Sequence, residues 1–190
     1  MKILKTLTLL SISASLLLSA PNQESELKSI KKIGKESSML LLKTLGKNMK
    51  HNMKSGGPIK ALDFCSNEAY TLTQKINKQL PKGVSVQRVS AKYRSLLNKP
   101  TQSELAVLDS FEKMKESGVI LPKQLIQKVD ANTYKYYKPL VIKKKVCLKC
   151  HGVLKDSELK RQILSRYPDD KAMAYKMGDL RGAVVVTIKK

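Results

Sequence analysis

The spacing of apolar residues changes about eighty residues into this 190-residue chain, and the change limits the folds it can adopt. Before that point, apolar residues recur every three or four positions, as on one face of a helix. After it, short runs of branched and aromatic residues alternate with loops and short helical segments, as expected for strands. Helices followed by strands are typical of an α+β domain with an antiparallel sheet, which is therefore the predicted fold class.

Two helices are predicted in the first eighty residues. The first occupies residues 22–54 of an N-terminal helix segment, 21–56, and the run Ser55-Gly56-Gly57-Pro58 ends it. The main domain is predicted to span residues 57–190 and to begin with a helix from about Ile59 to Leu80. Spacings of three and four place five residues of this helix on one inward face: Leu62, Cys65, Ala69, Leu72 and Ile76.

Strands and shorter helices are predicted to make up the rest of the domain. Pro139 indicates an edge or a bulge in its strand. Thr101 and Glu104 fit a capping box at the start of a helix, and Asp156 is expected to cap another. The predicted strands are Val84–Val89, a segment within Val119–Val129, Tyr134–Ile142 and Gly182–Ile188.

The first twenty residues have the pattern of a secretory signal peptide. Lys2 and Lys5 precede an apolar stretch that ends in Ser19 and Ala20. This stretch is shorter than the roughly 20 apolar residues that span a bilayer, although an uncleaved N-terminal anchor is the alternative. We therefore expect an exported, periplasmic protein with no stable membrane insertion after cleavage.

The net charge is strongly positive, because 37 Lys and Arg residues oppose 15 Asp and Glu residues. Loss of the signal segment leaves 35 basic and 15 acidic residues, a net charge of +20. Such a surface favours acidic partners, anionic lipid headgroups or nucleic acid, and export argues against nucleic acid. The alternative is that the lysines, which are scattered along the chain, form an ordinary solvated surface. The oligomeric state does not follow from the sequence.

The motif with the clearest chemistry is Cys147-Leu148-Lys149-Cys150-His151. This C-x-x-C-H pattern is typical of c-type haem attachment: two thiols add to the vinyl groups of the porphyrin, and the next residue supplies an imidazole to the iron. A zinc half-site, a thioredoxin-like redox pair and a structural disulfide are the alternatives. Behind a signal peptide, the single motif predicts one covalently bound haem c.

The third cysteine, Cys65, is left over once two thioether bonds are assigned. A buried free cysteine often acts as a small apolar side chain, which is one interpretation. The other is that its thiolate is the sixth iron ligand opposite His151, which would lower the reduction potential. Met173, Met177 and His51 are rival ligands, and an open iron site is also compatible with the sequence.

Six blocks within residues 25–190 occur together in one order. They are Ala61–Ala69 around Cys65; Val84–Pro100 with Arg88, Ser90, Arg94 and Asn98; Tyr134–Pro139; Cys147–Gly152; Tyr167–Ala172; and Gly178–Gly182. In these blocks the chain resembles a family of c-type haem proteins of unassigned function, found alone in exported proteins and at the sensing end of membrane signalling proteins.

The resemblance implies a PAS-like antiparallel sheet with flanking helices that hold the haem, and a cysteine distal ligand at the position of Cys65. The chain departs from the family at Ala174, where a glycine is usual, and in having Arg94-Ser95-Leu96 where Arg-Asn-Pro is frequent. Arg94, Tyr175 and Arg181 are candidates for binding haem propionates, because guanidinium groups pair with carboxylates at two points. Surface or structural charges are the alternative reading of these three residues.

Three kinds of function are compatible with this sequence. The favoured one is a periplasmic redox or gas-sensing haem module that passes its state to a separate signalling protein. The second is a soluble low-potential electron carrier that docks on an acidic redox partner through Lys143, Lys144, Lys145 and Lys149. A haem enzyme is disfavoured, because the one other histidine, His51, lies outside the expected pocket; we therefore predict no catalytic residues.

Overall fold

A four-stranded antiparallel sheet lies between helices in the computed structural model, which describes residues 20–190. The predicted signal segment therefore lies outside the described residues except for its last position. The helices are α1 (Ala20–Asn67), α2 (Ala69–Asn77), α3 (Gln102–Glu116), α4 (Leu148–His151) and α5 (Ser157–Arg166), and the strands are β1 (Val84–Val89), β2 (Leu125–Lys128), β3 (Thr133–Val141) and β4 (Leu180–Lys189).

The sheet has the strand order β1-β4-β3-β2, and all neighbouring strands are antiparallel. This is an α+β, PAS-like architecture with a long N-terminal helix, as expected from the sequence. Pro139 lies in β3 beyond Tyr137, the last residue that pairs with β2, and a register shift follows between Leu140 and Val141. Its missing N–H therefore breaks no hydrogen bond to β2, and the bulge beside it is confirmed.

The long helix α1 is sharply kinked where the sequence predicts its end. Gly56 and Gly57 have non-helical backbone angles, and Gly57 has φ = 66°, a left-handed conformation that favours glycine. Pro58 then begins the helical segment that carries Cys65. The predicted second helix is interrupted by a turn at Glu68, which separates α1 from α2. Among residues 20–190, no helix combines the length and the apolar character needed to cross a membrane.

The two faces of the sheet pack against different helices. On one face, Ile30 and Leu41 of α1 and Ile76 of α2 are buried against Val86 and Tyr136 of the sheet. On the other face, α3 packs its buried residues Leu108 and Phe111 against Val89, Tyr137 and Val185. The predicted capping box of α3 is confirmed, since Glu104 N donates to Thr101 Oγ1 and Thr101 N donates to Glu104 Oε2.

Gly34 is the closest point of approach between α1 and the sheet. A Cβ atom at this position would lie 2.2 Å from Cγ of Tyr136. We therefore expect Gly34→Ala to lower the free energy of unfolding by about 1–3 kcal/mol, the usual effect of overpacking a core. Urea unfolding followed by circular dichroism measures this change.

Gly46 is the matched control for this prediction, because it lies in the same helix and a Cβ there meets nothing within 4 Å. Gly46→Ala is expected to raise stability by up to about 1 kcal/mol, owing to the higher helix propensity of alanine. Equal effects of the two substitutions would contradict the close packing of Gly34 on Tyr136.

Candidate functional site

The Cys147–His151 segment forms a compact turn of helix at one end of the sheet. A short 3₁₀ helix ends at Cys147, and α4 carries Cys150 and His151. All three side chains are half-buried. Gly152 ends the helix where a Cβ atom would lie 2.7 Å from the carbonyl oxygen of Leu148, so the helix can stop there without a steric clash. The two thiols and the imidazole are thus presented from adjacent turns.

His151 is held in one orientation by a backbone carbonyl. Its Nδ1 lies 2.9 Å from the carbonyl oxygen of Ala172, and since that oxygen can only accept, Nδ1 donates. Burial, together with the nearby charges of Arg181 and Arg94, holds the pKa of His151 well below its usual range. The imidazole is therefore neutral, and its Nε2 carries the lone pair that a metal would bind.

Arg94 and Asp170 form a buried ion pair that fixes this carbonyl. Arg94 Nε donates to Asp170 Oδ1 at 3.0 Å, and the Asp170 side chain is fully buried. Arg94 Nη2 also donates to the carbonyl oxygens of Cys150 at 2.8 Å and Ala172 at 3.3 Å. Asp170 Oδ1 accepts the backbone N–H of Ala172 at 3.0 Å. The pair therefore ties α4 to the residue that orients His151.

Cys65 enters the site from the last turns of α1. Burial raises the pKa of its thiol, while Arg88, Arg94 and Arg181 act to lower it. Burial also raises the pKa of the Cys150 thiol, and a charge on Cys65 adds to that effect. Cys65 is thus electrostatically coupled both to the C-x-x-C-H segment and to three guanidinium groups.

Arg88 has an unusual environment on β1. Burial lowers its pKa, and Cys65 and Tyr167 are the groups whose charges act on it. Within residues 20–190, its guanidinium makes no hydrogen bond and no ion pair. Its backbone carbonyl oxygen accepts a hydrogen bond from the side-chain amide of Asn98. A half-buried guanidinium without an acidic neighbour is available to a negatively charged group that binds beside it.

Arg181 and Tyr175 lie beside His151, as part of the same site. Arg181 Nη1 donates to Ser90 Oγ at 2.8 Å, and its guanidinium lies over the Tyr175 ring at 5.4 Å. The Tyr175 ring meets the His151 ring edge-on, with 6.3 Å between the ring centres. Arg181 makes no ion pair in the described part of the chain. The positive charge of Arg181 is therefore not neutralised by any of the described residues.

The backbone at Ala174 has a conformation that glycine adopts most readily, in keeping with the glycine that the resemblance leads us to expect there. Ala174 has φ = 59°, and it is the one non-glycine residue with positive φ among those described. Its N–H donates to the carbonyl oxygen of Gly152 at 3.0 Å, and the next residue, Tyr175, donates to the carbonyl oxygen of His151 at 2.9 Å. The left-handed conformation of Ala174 thus lets the Ala174–Tyr175 backbone form hydrogen bonds with the end of α4.

The rival ligands named from the sequence lie in different places. His51 is exposed on α1, and Met177 is 47% exposed. Met173 packs in the apolar cluster of Leu62, Leu159 and Ile163. Within the described residues, no three His, Cys, Asp or Glu side chains come together in a metal-binding group, so the alternative of a closed zinc site lacks its ligands.

Two site residues, Arg88 and Asp170, were not chosen as site residues from the sequence. Both lie in blocks that resemble the family, but their residue types alone do not separate them from other charged residues. The guanidinium of Arg94, which the sequence predicts to bind a propionate, donates to Asp170 and to two carbonyl oxygens. The distances between acidic and basic side chains in the folded protein are needed to distinguish these roles.

Comparisons with known proteins agree with this description. The family model described as Tll0287-like matches residues 22–189. Among solved structures, the chain is similar to the crystal structure of the cyanobacterial heme-protein Tll0287, with a TM-score of 0.60 and 21% sequence identity, over 87% of this chain and 96% of that chain. This likeness shows a shared fold. No curated protein matches the sequence. Because the family model extends over nearly all of the described residues, the chain belongs to the Tll0287-like family.

Proposed function

We propose that this chain is an exported, periplasmic c-type haem protein that carries one haem on Cys147, Cys150 and His151 and acts as a redox or gas-sensing module. The observation that carries the proposal is the 2.9 Å contact between His151 Nδ1 and the Ala172 carbonyl oxygen. His151 directly follows Cys150 in the segment that also carries the free thiol of Cys147. That contact leaves Nε2 as the available ligand atom. The family membership and the heme-protein of similar fold support it.

The charges of the site fit haem. Arg88 and Arg181 are guanidinium groups without an acidic partner in the described chain, whereas Arg94 is neutralised by Asp170. Two unneutralised cations match the two propionate carboxylates of haem, and arginine suits carboxylates because it donates at two points. We therefore assign propionate binding to Arg88 and Arg181. Tyr175 is better placed to pack against the His151 ring than to bind a carboxylate.

When bound, haem supplies an iron that can be oxidised or reduced by one electron and can take an added gas as ligand. The protein contributes the two thioether sulfurs, the neutral imidazole of His151 and a carbonyl that fixes it. Cys65 would be a further iron ligand from the protein, because α1, which carries it, packs against α4, and a thiolate sulfur is a known haem ligand. Because Cys65 lies in the last turns of α1, a change in the state of a bound haem would act on this helix, which offers a route to a separate signalling partner.

A catalytic role has less support. A haem enzyme needs an open iron site and a proton donor above it. His51, the other histidine of the chain, is exposed on α1. If Cys65 also fills the distal position, neither requirement is met.

The covalent bond is tested by the intact mass of protein that has been matured by a c-type haem assembly system. We expect the mass to increase by one haem, and Cys147→Ser/Cys150→Ser to abolish the increase. A mass equal to the bare polypeptide in the wild-type protein would contradict the proposal.

The distal ligand is tested by the absorption spectrum of Cys65→Ser. Wild-type protein should show a six-coordinate low-spin spectrum, and loss of the thiolate should change it and raise the reduction potential. Met173→Leu and His51→Ala are the control variants and should leave the spectrum unchanged. An unaltered spectrum in Cys65→Ser would exclude this residue as ligand. Carbon monoxide added to the reduced wild-type protein then tests whether the ligand can be displaced by a gas.

A further inference from the structure

We infer that the surface formed by Lys143, Lys144, Lys145, Val146, Lys149 and Val153, here called the lysine face, docks an acidic one-electron redox protein. The inference rests on the proposed haem function and adds the class of partner with which the haem exchanges electrons. It places the partner on the segment that carries the two haem-binding cysteines.

The charge of this segment is entirely positive. Between residues 138 and 155 the chain has six lysines and no aspartate or glutamate. Lys143, Lys144, Lys145 and Lys149 are all exposed, and none of them makes an ion pair or a side-chain hydrogen bond within residues 20–190. Some basic side chains elsewhere, such as Lys115 and Arg161, have acidic neighbours on their own helices, whereas several exposed lysines of α1 are also unpaired. The lysine face is therefore a local positive surface with no acidic partner among the residues that the structure describes.

Two exposed apolar residues accompany these lysines. Val146 is 43% exposed and Val153 is 78% exposed. Protein interfaces commonly combine an apolar centre with a polar or charged rim, so this composition suits a protein partner. Met177, 47% exposed, adds apolar surface on the neighbouring chain segment.

The lysine face has a fixed backbone. Ile142, which precedes it, donates to the carbonyl oxygen of Asp179 at 2.9 Å and accepts from Gly178 N at 2.9 Å. At its other end, the carbonyl oxygens of His151 and Gly152 accept from the backbone of the segment that leads to Met177. A surface held at both ends loses little conformational entropy when it binds, which favours recognition by a protein.

The position of the face suits electron exchange. Cys147 and Cys150 lie within the same segment, so a partner docked there is adjacent to the covalently attached group. One electron would pass from the reduced centre of the partner to the ferric iron, which becomes ferrous while the partner is oxidised by one electron. No bond forms or breaks in this step. An acidic partner is favoured because opposite charges accelerate encounter and orient the two proteins.

An anionic membrane is the competing occupant, and the side chains of the face disfavour it. Membrane-surface segments are usually amphipathic helices that insert large residues such as Trp, Phe or Leu. Within the lysine face the exposed apolar residues are valines on short turns, with Met177 beside them. The chain has no tryptophan, and both phenylalanines are buried. The valines offer a shallow apolar contact that fits a protein surface.

The test compares two charge-reversal variants of the haem-loaded protein. The first is K143E/K144E/K145E/K149E, on the lysine face. The control is K31E/K35E/K43E/K47E, four exposed α1 lysines that make no ion pairs among residues 20–190. The two variants have the same net charge. The probe is a reduced plant-type [2Fe–2S] ferredoxin, an acidic, low-potential one-electron donor, and stopped-flow absorption follows haem reduction at several salt concentrations.

We expect wild-type reduction to slow as salt rises, the lysine-face variant to react about tenfold or more slowly with little salt dependence, and the control to stay within about threefold of wild type. A small uncharged reductant should reduce all three at similar rates, because its encounter with the protein does not depend on surface charge. Equal slowing of both variants, or a wild-type rate independent of salt, would overturn the inference.

Two further measurements keep the outcomes separate. Absence of haem absorption in the wild-type protein would contradict the proposed function itself, whereas normal haem with equal variant rates contradicts only the docking face. Phosphatidylglycerol vesicles test the membrane alternative by sedimentation. Vesicle binding that is lost in the lysine-face variant, with an unchanged ferredoxin rate, would show that the face binds lipid and would also overturn the inference.

Discussion

Replacing Asp170 with asparagine should destabilise the protein and loosen the histidine of the haem site. The Asp170 side chain is fully buried and accepts from Arg94 at 3.0 Å and from Ala172 N at 3.0 Å. Removing one member of a buried ion pair leaves the other charge uncompensated, and typically lowers the free energy of unfolding by about 3–5 kcal/mol. Urea unfolding of the protein measures this change.

The same substitution has a readout at the haem. The Ala172 carbonyl orients His151, and groups that orient a metal ligand typically change metal affinity or activity by about 10–100-fold when mutated. We therefore expect Asp170→Asn to alter the low-spin spectrum and the reduction potential of matured protein. A variant that lost stability but kept both properties would show that the pair supports the fold alone.

Asp169→Asn is the matched control, because Asp169 is adjacent, exposed and without a hydrogen bond or ion pair among residues 20–190. It should change stability by less than about 0.5 kcal/mol. If Asp170→Asn does not fold well enough to measure, the double variant Arg94→Met/Asp170→Asn removes both charges. The double variant should be more stable than Asp170→Asn alone, and a less stable double variant would contradict the ion-pair explanation.

Glu104→Gln is expected to have a similarly large effect on the other face of the sheet. Glu104 is 1% exposed, and Lys135 Nζ, itself on a largely buried side chain, lies 2.8 Å from its Oε1. Burial alone would raise the pKa of Glu104, but the hydrogen bond from Lys135 and those from Thr101 outweigh it and lower the pKa. We expect a loss of about 3–5 kcal/mol at neutral pH, because Lys135 loses its counter-charge.

The pH dependence of this loss follows from the direction of the shift. A carboxylate whose pKa is lower in the folded than in the unfolded state stabilises the fold above the unfolded value of about 4.3. That stabilisation disappears as the pH falls through the lower folded value. The difference between wild type and Glu104→Gln should therefore shrink below about pH 4 in urea unfolding. A difference that stayed constant down to pH 2 would show that the carboxylate is not the source of the stability.

Glu112→Gln is the control on the same helix. Glu112 Oε2 lies 3.6 Å from Lys115 Nζ, but the Glu112 side chain is 43% exposed. Exposed pairs typically contribute less than about 1 kcal/mol, so this variant should resemble wild type at every pH. The contrast isolates burial as the cause of the larger effect.

Local patterns in the sequence predict most of the secondary structure. The glycines and proline at 56–58, the capping box at Thr101 and the strand at Val84–Val89 each depend on neighbouring residues, and each is confirmed. The turn at Glu68 is not predicted, because the apolar spacing continues through it without a break. The prediction of haem attachment likewise depends on five adjacent residues, Cys147–His151. The intact mass of matured protein tests it.

The roles of the charged residues depend on the tertiary structure. In the sequence, Arg88, Arg94 and Arg181 are equivalent cations, and Asp170 is one acid beside another. Only the fold brings Asp170, 76 positions away, against Arg94 and leaves the other two guanidinium groups without an acid. The sequence by itself thus determined the elements and the attachment motif, since these rest on short-range geometry. The tertiary structure decided which charges are neutralised, because electrostatic energy depends on distance and burial in space.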